Sequence, residues 1–412
     1  MTSRERVLAA LRHEPPDRVP IDLGAMGSTG IMAVAYNRLK AHLGRTDGVT
    51  LVCDGYQQLA EPEHWILDLF GVDVIDLGRR LPPVSDPDLA AEFTERFGGT
   101  RRPWTLSDGS ACELPEFFNP QPDGKDGWVL RDETGRVIGR MPKSAYYFKE
   151  TYFPLEGART VEEINAFPLH RYTDETLHRL QQRARWLSEN TDYALMGAFG
   201  GNILEYGQTF RGWAQFMMDL AGDLPLAEAL MDRLLESHLA NLDAYLDAVG
   251  DYIHLIVMGD DLGTQEGPQL SPELYHATIH PRHKAIYQLV KKKSPGVYVF
   301  LHCCGAIYDL LPDLIDEGVD VLNPVQTSAA KMAPERLKRE FGDKLCFWGG
   351  GCETQSTLQT GSPSEVADQV CERIRLFNQG GGYVFNQIHN IQANVPPENI
   401  VAMFQAARRT GD

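Results

Sequence analysis

Short apolar runs rich in β-branched and aromatic residues alternate along this chain with longer amphipathic stretches of helical length. The runs fall at 18–22, 73–78, 193–199, 252–258, 297–303, 320–325, 344–348 and 383–388, giving eight candidate strands. The unbroken run Val297-Tyr-Val-Phe-Leu301 suits a strand buried on both faces, the habit of parallel sheets. Between the runs, residues 226–248 place Leu230, Leu234, Leu235, His238, Leu239 and Leu242 near helical spacing, and Ser271-Pro272 and Ser362-Pro363 each offer an N-cap followed by proline at the first helical position. Strand then helix, repeated eight times, predicts an α/β fold: a single (β/α)8 TIM barrel over residues 1–412. Such barrels need only ~250 residues. The excess sits at about 81–154, where Pro82-Pro83 and the turn pairs Asp108-Gly109, Asp123-Gly124 and Asp126-Gly127 separate short segments. That texture predicts a β-rich insertion after strand two.

Composition narrows the function classes. The 39 Lys and Arg against 57 Asp and Glu leave a net charge of −18, which argues against nucleic acid or an anionic membrane as partner. No apolar run approaches the roughly 20 residues of a bilayer span, and the N-terminus lacks the apolar core of a signal peptide. A cytoplasmic protein acting on a small molecule is the expectation, with its oligomeric state open, a homodimer included. Seven cysteines scattered over the chain are no disulfide framework, and in a reducing compartment they are packing thiols or ligands.

Barrel enzymes carry their chemistry at the C-terminal ends of the strands. Those ends are polar here: Asp22, Asp76, Asp260-Asp261, His302-Cys303-Cys304, Asn323, Cys352 after Gly349-Gly-Gly351, and Asn386 to His389. On strand five His302 and Cys304 share a face and Cys303 points to the other, as a packing thiol. His302 and Cys304, joined by Cys352 and His389 from other strands, supply the imidazole and thiolate donors that suit Zn²⁺, and His302, Cys304 and Cys352 are the expected ligand set. Asp76, Asp260 and Asp261 are candidate acid–base groups or ligand orienters, and Asp22, Asn323, Gln326, Asn386 and Gln387 candidate substrate hydrogen-bonders.

Several of these segments carry a resemblance. Arg4-Glu-Arg-Val-Leu-Ala-Ala-Leu-Arg-His13, Pro16-Asp-Arg-Val-Pro20, His302-Cys-Cys-Gly305, Gly318-Val-Asp-Val-Leu-Asn323, Tyr383-Val-Phe-Asn-Gln-Ile-His389 and Pro396-Pro-Glu-Asn-Ile400 resemble the uroporphyrinogen decarboxylase superfamily over nearly the whole chain outside the insertion. The resemblance implies a (β/α)8 barrel. True decarboxylases of that superfamily use an N-terminal Arg-Gln-Ala-Gly-Arg motif to hold a tetrapyrrole's carboxylates; this chain has Leu23-Gly-Ala-Met-Gly-Ser-Thr29 there, without an arginine.

The other branch holds zinc-dependent methyltransferases that pass a methyl group between a corrinoid and a thiol or related acceptor. Their His-x-Cys motif matches His302 and Cys304, and their third ligand, a cysteine after the last strand, aligns with His389, so Cys352 is the expected replacement and His389 a fourth ligand or substrate contact. The resemblance thus implies a zinc-dependent methyl or alkyl transferase. Its implied partners are a small-molecule substrate and a separate corrinoid protein. A decarboxylase or lyase acting on a carboxylated substrate, and a non-catalytic barrel that binds a tetrapyrrole or corrinoid, are the alternatives.

Overall fold

The computed structural model describes residues 1–45 and 47–409. Seven parallel strands, Val74–Asp76, Ala194–Gly200, Leu255–Gly259, Tyr298–His302, Val321–Asn323, Cys346–Trp348 and Tyr383–Val384, follow one another in sheet order as they do in sequence. They are the second to eighth of the expected strands, and the topology is that of a (β/α)8 barrel. The first run is reduced to an isolated parallel bridge between Ile21 and Phe385. Phe385 donates to Pro20 O at 2.8 Å, Asp22 donates to Phe385 O at 2.9 Å, and Asp73 donates to Ile21 O at 2.8 Å. The first run therefore lies beside both the last strand and the second, as a closed barrel requires. Pro20, which has no N–H, helps confine the ladder to a bridge.

The described chain divides into two compact units. One comprises Tyr152–Ser188 and Leu195–Ala333 and holds the third to sixth strands. Its longest helix, Leu224–Val249, buries Leu230, Leu234, Leu242, Leu246 and Val249 along one stripe. Each such leucine contributes about 1.5–3 kcal/mol when removed from water. Helix and strand approach so closely that a Cβ on Gly197 would lie 2.6 Å from the Tyr245 hydroxyl, which would have to shift to admit a side chain there. Ser271 caps the helix Pro272–Thr278 by accepting from Leu274 N, as the Ser-Pro signal implies.

The other unit comprises Met1–Thr151, Glu189–Ala194 and Pro334–Asp412. Ser362 and Glu365 form a capping box at the start of helix Pro363–Phe377. The segment after the second strand opens with a helix, Pro87–Phe97, capped by Asp86, and only then turns to strands. Arg101–Thr105 pairs antiparallel with Ala111–Pro115, and Gly127–Arg131 pairs antiparallel with Gln121–Pro122 and Val137–Pro142. Ala111–Pro115 also adds to Thr50–Asp54, a strand ahead of the second barrel strand that the hydrophobic pattern did not announce. That strand is five residues long and ends in Cys53 and Asp54, too short and polar-ended to stand out. Among the described residues no helix is long and apolar enough to cross a membrane.

The Asp73 carboxylate at the foot of the second strand is fully buried, and arginines neutralise it. Arg6 Nη1 donates at 2.6 Å, Arg18 at 2.7 and 2.9 Å, and the Ile21 backbone N–H at 2.9 Å. Removing one partner of a buried pair strands the others without compensation, a loss of about 3–5 kcal/mol. Asp73→Ala is expected to lose stability on this scale in urea unfolding. A change under about 1 kcal/mol, the worth of an exposed pair, would show that the cluster does not hold the first run in place.

Candidate functional site

At the end of the fifth strand His302 is half-buried, and its Nδ1 lies 2.7 Å from Asn323 Oδ1 at the end of the sixth. An amide oxygen can only accept, so Nδ1 carries the proton and Nε2 presents its lone pair. Cys304 Sγ stands 3.4 Å from that Nε2. Two donors sharing one tetrahedral Zn²⁺, at ~2.0–2.1 Å for nitrogen and ~2.3 Å for sulfur, would be about 3.5 Å apart. The pair therefore fits a metal without rearrangement. Asp261 Oδ1 accepts the Cys304 backbone N–H at 2.8 Å and lies 3.7 Å from His302 Nε2. Cys303 is buried on the other face, accepting from Leu262 N, and burial pushes its thiol well up.

The neighbouring polar residues take more specific roles than the sequence suggested. Asn323, expected to contact substrate, instead orients His302. Gln326 Oε1 accepts the Gly305 N–H at 2.9 Å while its Nε2 donates to Gln265 Oε1 at 2.9 Å, so it braces the loop after the fifth strand. Asp260, expected as an acid–base group, is fully buried with its oxygens occupied. It accepts the N–H groups of Ile203, Leu204 and Glu205 at 2.8–3.0 Å and faces His283 Nε2 at 3.0 Å. Those amides open the helix Leu204–Arg211, where a carboxylate is favoured by the unpaired N–H groups and the helix dipole.

Sequence reasoning missed Glu205. Burial, followed by the Asp260 and Asp261 charges, raises its carboxyl to about 7, while the Asn202 amide donates to it at 2.6 Å. Its position just past the end of the third strand was the available signal, hidden because the strand closes on Gly200-Gly201 rather than on an acidic residue.

In the other unit Asp22 is fully buried, accepts from Ala25 N at 3.0 Å and Trp348 Nε1 at 2.9 Å, and is raised by burial to about 7. Asp76 ends the second strand, half-buried. After the eighth strand, Asn386 and Gln387 are fully buried; their N–H groups are bonded to backbone carbonyls of Gln387, Thr29 and Gly30, while Asn386 Oδ1 and Gln387 Oε1 accept no hydrogen bond from described residues. His389 follows, half-buried. Tyr147 of the inserted segment donates to Asn390 Oδ1 at 2.9 Å, tying the insertion to the loop after the last strand.

Cys352, expected as a ligand, lies just past the end of the seventh strand. It is fully buried, its thiol is pushed up to about 12 by burial and by Glu353, and it lies in the electrostatic reach of Arg373 on the following helix. A Cβ on Gly351 would collide with Phe385 at 2.4 Å, so this glycine seats the seventh strand's end against the eighth. Cys352 joins no candidate metal-holding group among the described residues.

Comparison with known proteins gives a family match. Residues 157–410 match the model for uroporphyrinogen decarboxylase (URO-D). The uroporphyrinogen decarboxylase of Saccharophagus degradans is 28% identical over 183 residues, covering 44% of this chain and 47% of that protein. That of Acidiphilium cryptum is 30% identical over 148 residues, covering 34% and 37%. The chain spans about half the length or less of the curated relatives it matches. A methyltransferase from Methanosarcina mazei has the same fold over 99% of this chain and 98% of its own, at a TM-score of 0.57 and 17% identity.

The Asp260–His283 contact has a measurable signature. Burial would lower the His283 pKa, but hydrogen bonds to Asp260 and Glu317, and their charges, outweigh it and raise the imidazole from 6.5 to about 9. The folded protein then holds a proton that the unfolded chain releases, so this stabilisation is complete below pH 6.5 and lost as pH rises through 9. In Asp260→Asn, burial faces one fewer anion, and the His283 NMR titration is expected to move down. An unchanged midpoint would show that Asp260 does not hold the charge.

Proposed function

The chain belongs to the uroporphyrinogen decarboxylase (URO-D) family, and on that premise we propose that it is a zinc-dependent methyl or alkyl transferase of the family's methyltransferase branch rather than a decarboxylase. The observation that carries this reading is the His302 Nε2–Cys304 Sγ separation of 3.4 Å, with Nδ1 held by Asn323. An imidazole and a thiol so spaced and so oriented are what a zinc site needs. His389, which aligns with the cysteine that those methyltransferases use as third ligand, is our third ligand.

Zinc bound at these residues would lower the pKa of an incoming thiol and supply a thiolate nucleophile at neutral pH. The residues of this chain do the rest. Asn323 fixes the His302 tautomer, and Asp261 fixes the Cys304 backbone through its N–H. Glu205, with a carboxyl raised to about 7, takes the proton that the acceptor thiol gives up. The methyl donor in this reading is a methyl-corrinoid on a separate cytoplasmic protein.

The second reading, decarboxylation, is favoured by the names of the curated relatives. Against it stands the segment Leu23–Thr29, which has no arginine with which to meet a tetrapyrrole's carboxylates.

Methyl transfer from a methyl-corrinoid to thiol acceptors, assayed with and without a chelator beside uroporphyrinogen turnover, separates the two. Transfer is expected to stop on chelation and return with zinc. Chelator-insensitive formation of coproporphyrinogen would contradict the proposal. Asn323→Ala is expected to weaken zinc about 10–100-fold in chelator competition, the usual cost of losing a histidine's orienting partner. Cys303→Ser is expected to leave the zinc content unchanged.

A further inference from the structure

A second cluster of metal-ligating side chains lies on the outer helices of the unit that holds Tyr152–Ser188 and Leu195–Ala333. His276 sits in helix Pro272–Thr278 and His280 opens helix His280–Lys293; the one residue between the helices, Ile279, is itself right-handed helical, so the two histidines stand one turn apart on one helical path. Residues at this i, i+4 spacing share a face, and the two imidazole rings are stacked with centroids 4.8 Å apart. Asp313, on the helix Leu311–Glu317, faces them, with its Oδ1 3.2 Å from His276 Nδ1. One ligand atom from each of His276, His280 and Asp313 lies within 4.8 Å of the others.

His280 is the better placed of the two histidines. Its Nδ1 is 2.9 Å from Oε1 of the fully buried Glu317, which orients the ring and directs Nε2 outward, toward Asp316 at 3.3 Å. A carboxylate behind a histidine, holding one nitrogen so that the other faces outward, is the arrangement that metal-binding histidines recur in. Asp316 itself is engaged by Lys284 at 2.7 Å. That leaves His276, His280 and Asp313 as the ligands, with the remaining position for water.

We propose that His276, His280 and Asp313 form a second divalent-cation site, separate from His302 and Cys304, selective for imidazole-seeking ions of the Zn²⁺, Co²⁺ and Ni²⁺ type. Bonds of ~2.0–2.2 Å bring tetrahedral donors to about 3.4 Å of one another. His276, with 64% of its side chain exposed, is free to swing and close the present gap, whereas His280 at 9% is already fixed. With two imidazoles and one carboxylate, the set is too nitrogen-rich for Mg²⁺ or Ca²⁺. Bound there, the ion clips the paired helices to the helix Leu311–Glu317.

Titration of the full-length protein with Co²⁺ tests this, because a thiolate ligand produces a sulfur-to-metal charge-transfer band and a His–Asp site does not. One equivalent bound without charge transfer is expected, whether or not the thiolate site fills, and its affinity is expected to fall at least tenfold in both His276→Ala and Asp313→Asn. His276 and Asp313 lie at the surface or half-buried, so neither change should impair folding, which circular dichroism checks. The proposal is overturned if no Co²⁺ binds without charge transfer, or if that binding is the same in both variants. Survival of this equivalent in Cys304→Ser separates the inference from the fate of the zinc reading at His302 and Cys304.

Discussion

A carboxylate without access to water persists only if donors replace the water it has lost, and Asp260 meets that constraint with four of them. Three are the first free amides of helix Leu204–Arg211 and the fourth is His283 on helix His280–Lys293. One side chain thereby fixes the start of one helix, the end of one strand and the face of another helix. The next residue in sequence inherits that rigidity: Asp261 reaches the Cys304 N–H, and the peptide so held carries the thiol to 3.4 Å from His302. The network continues into the outer helices, since Glu317 accepts from Tyr275 at 2.5 Å and lies 3.6 Å from His283 Nδ1.

The sequence carried much of this. Seven of the eight apolar runs are strands, because a strand buried on both faces needs consecutive apolar residues and so declares itself. The first run was harder, since prolines leave it a bridge and its place depends on backbone bonds to Phe385 and Asp73. His302 and Cys304 were legible as a pair from strand alternation alone. The partners were not: that Asn323 serves His302 rather than a substrate depends on the register that sets the sixth strand's last residue opposite the fifth's. Cys352 follows the seventh strand after three glycines, and its burial is not legible from its position in the sequence.

Asp260 and Asp261 are adjacent, of one type, and both sit at a strand end, yet one is an anchor and the other touches the proposed ligands. Only hydrogen-bond partners distinguish them. The same holds for Asp22 and Glu205, both raised to about 7 by burial in different surroundings: Asp22 is enclosed by Trp348 and Ala25, whereas Glu205 stands beside two further carboxylates, which is the setting that lets a carboxyl exchange a proton near neutral pH.

The central claim is that Cys304 supplies a thiolate to zinc and Cys352 does not. X-ray absorption at the zinc edge reads this directly, since a Zn–S shell at ~2.3 Å is resolved from Zn–N and Zn–O shells at ~2.0–2.2 Å. The sulfur shell is expected in the zinc-loaded protein and in Cys352→Ser, and is expected to vanish in Cys304→Ser. A sulfur shell that disappears in Cys352→Ser, or one absent from the parent protein, would contradict the account.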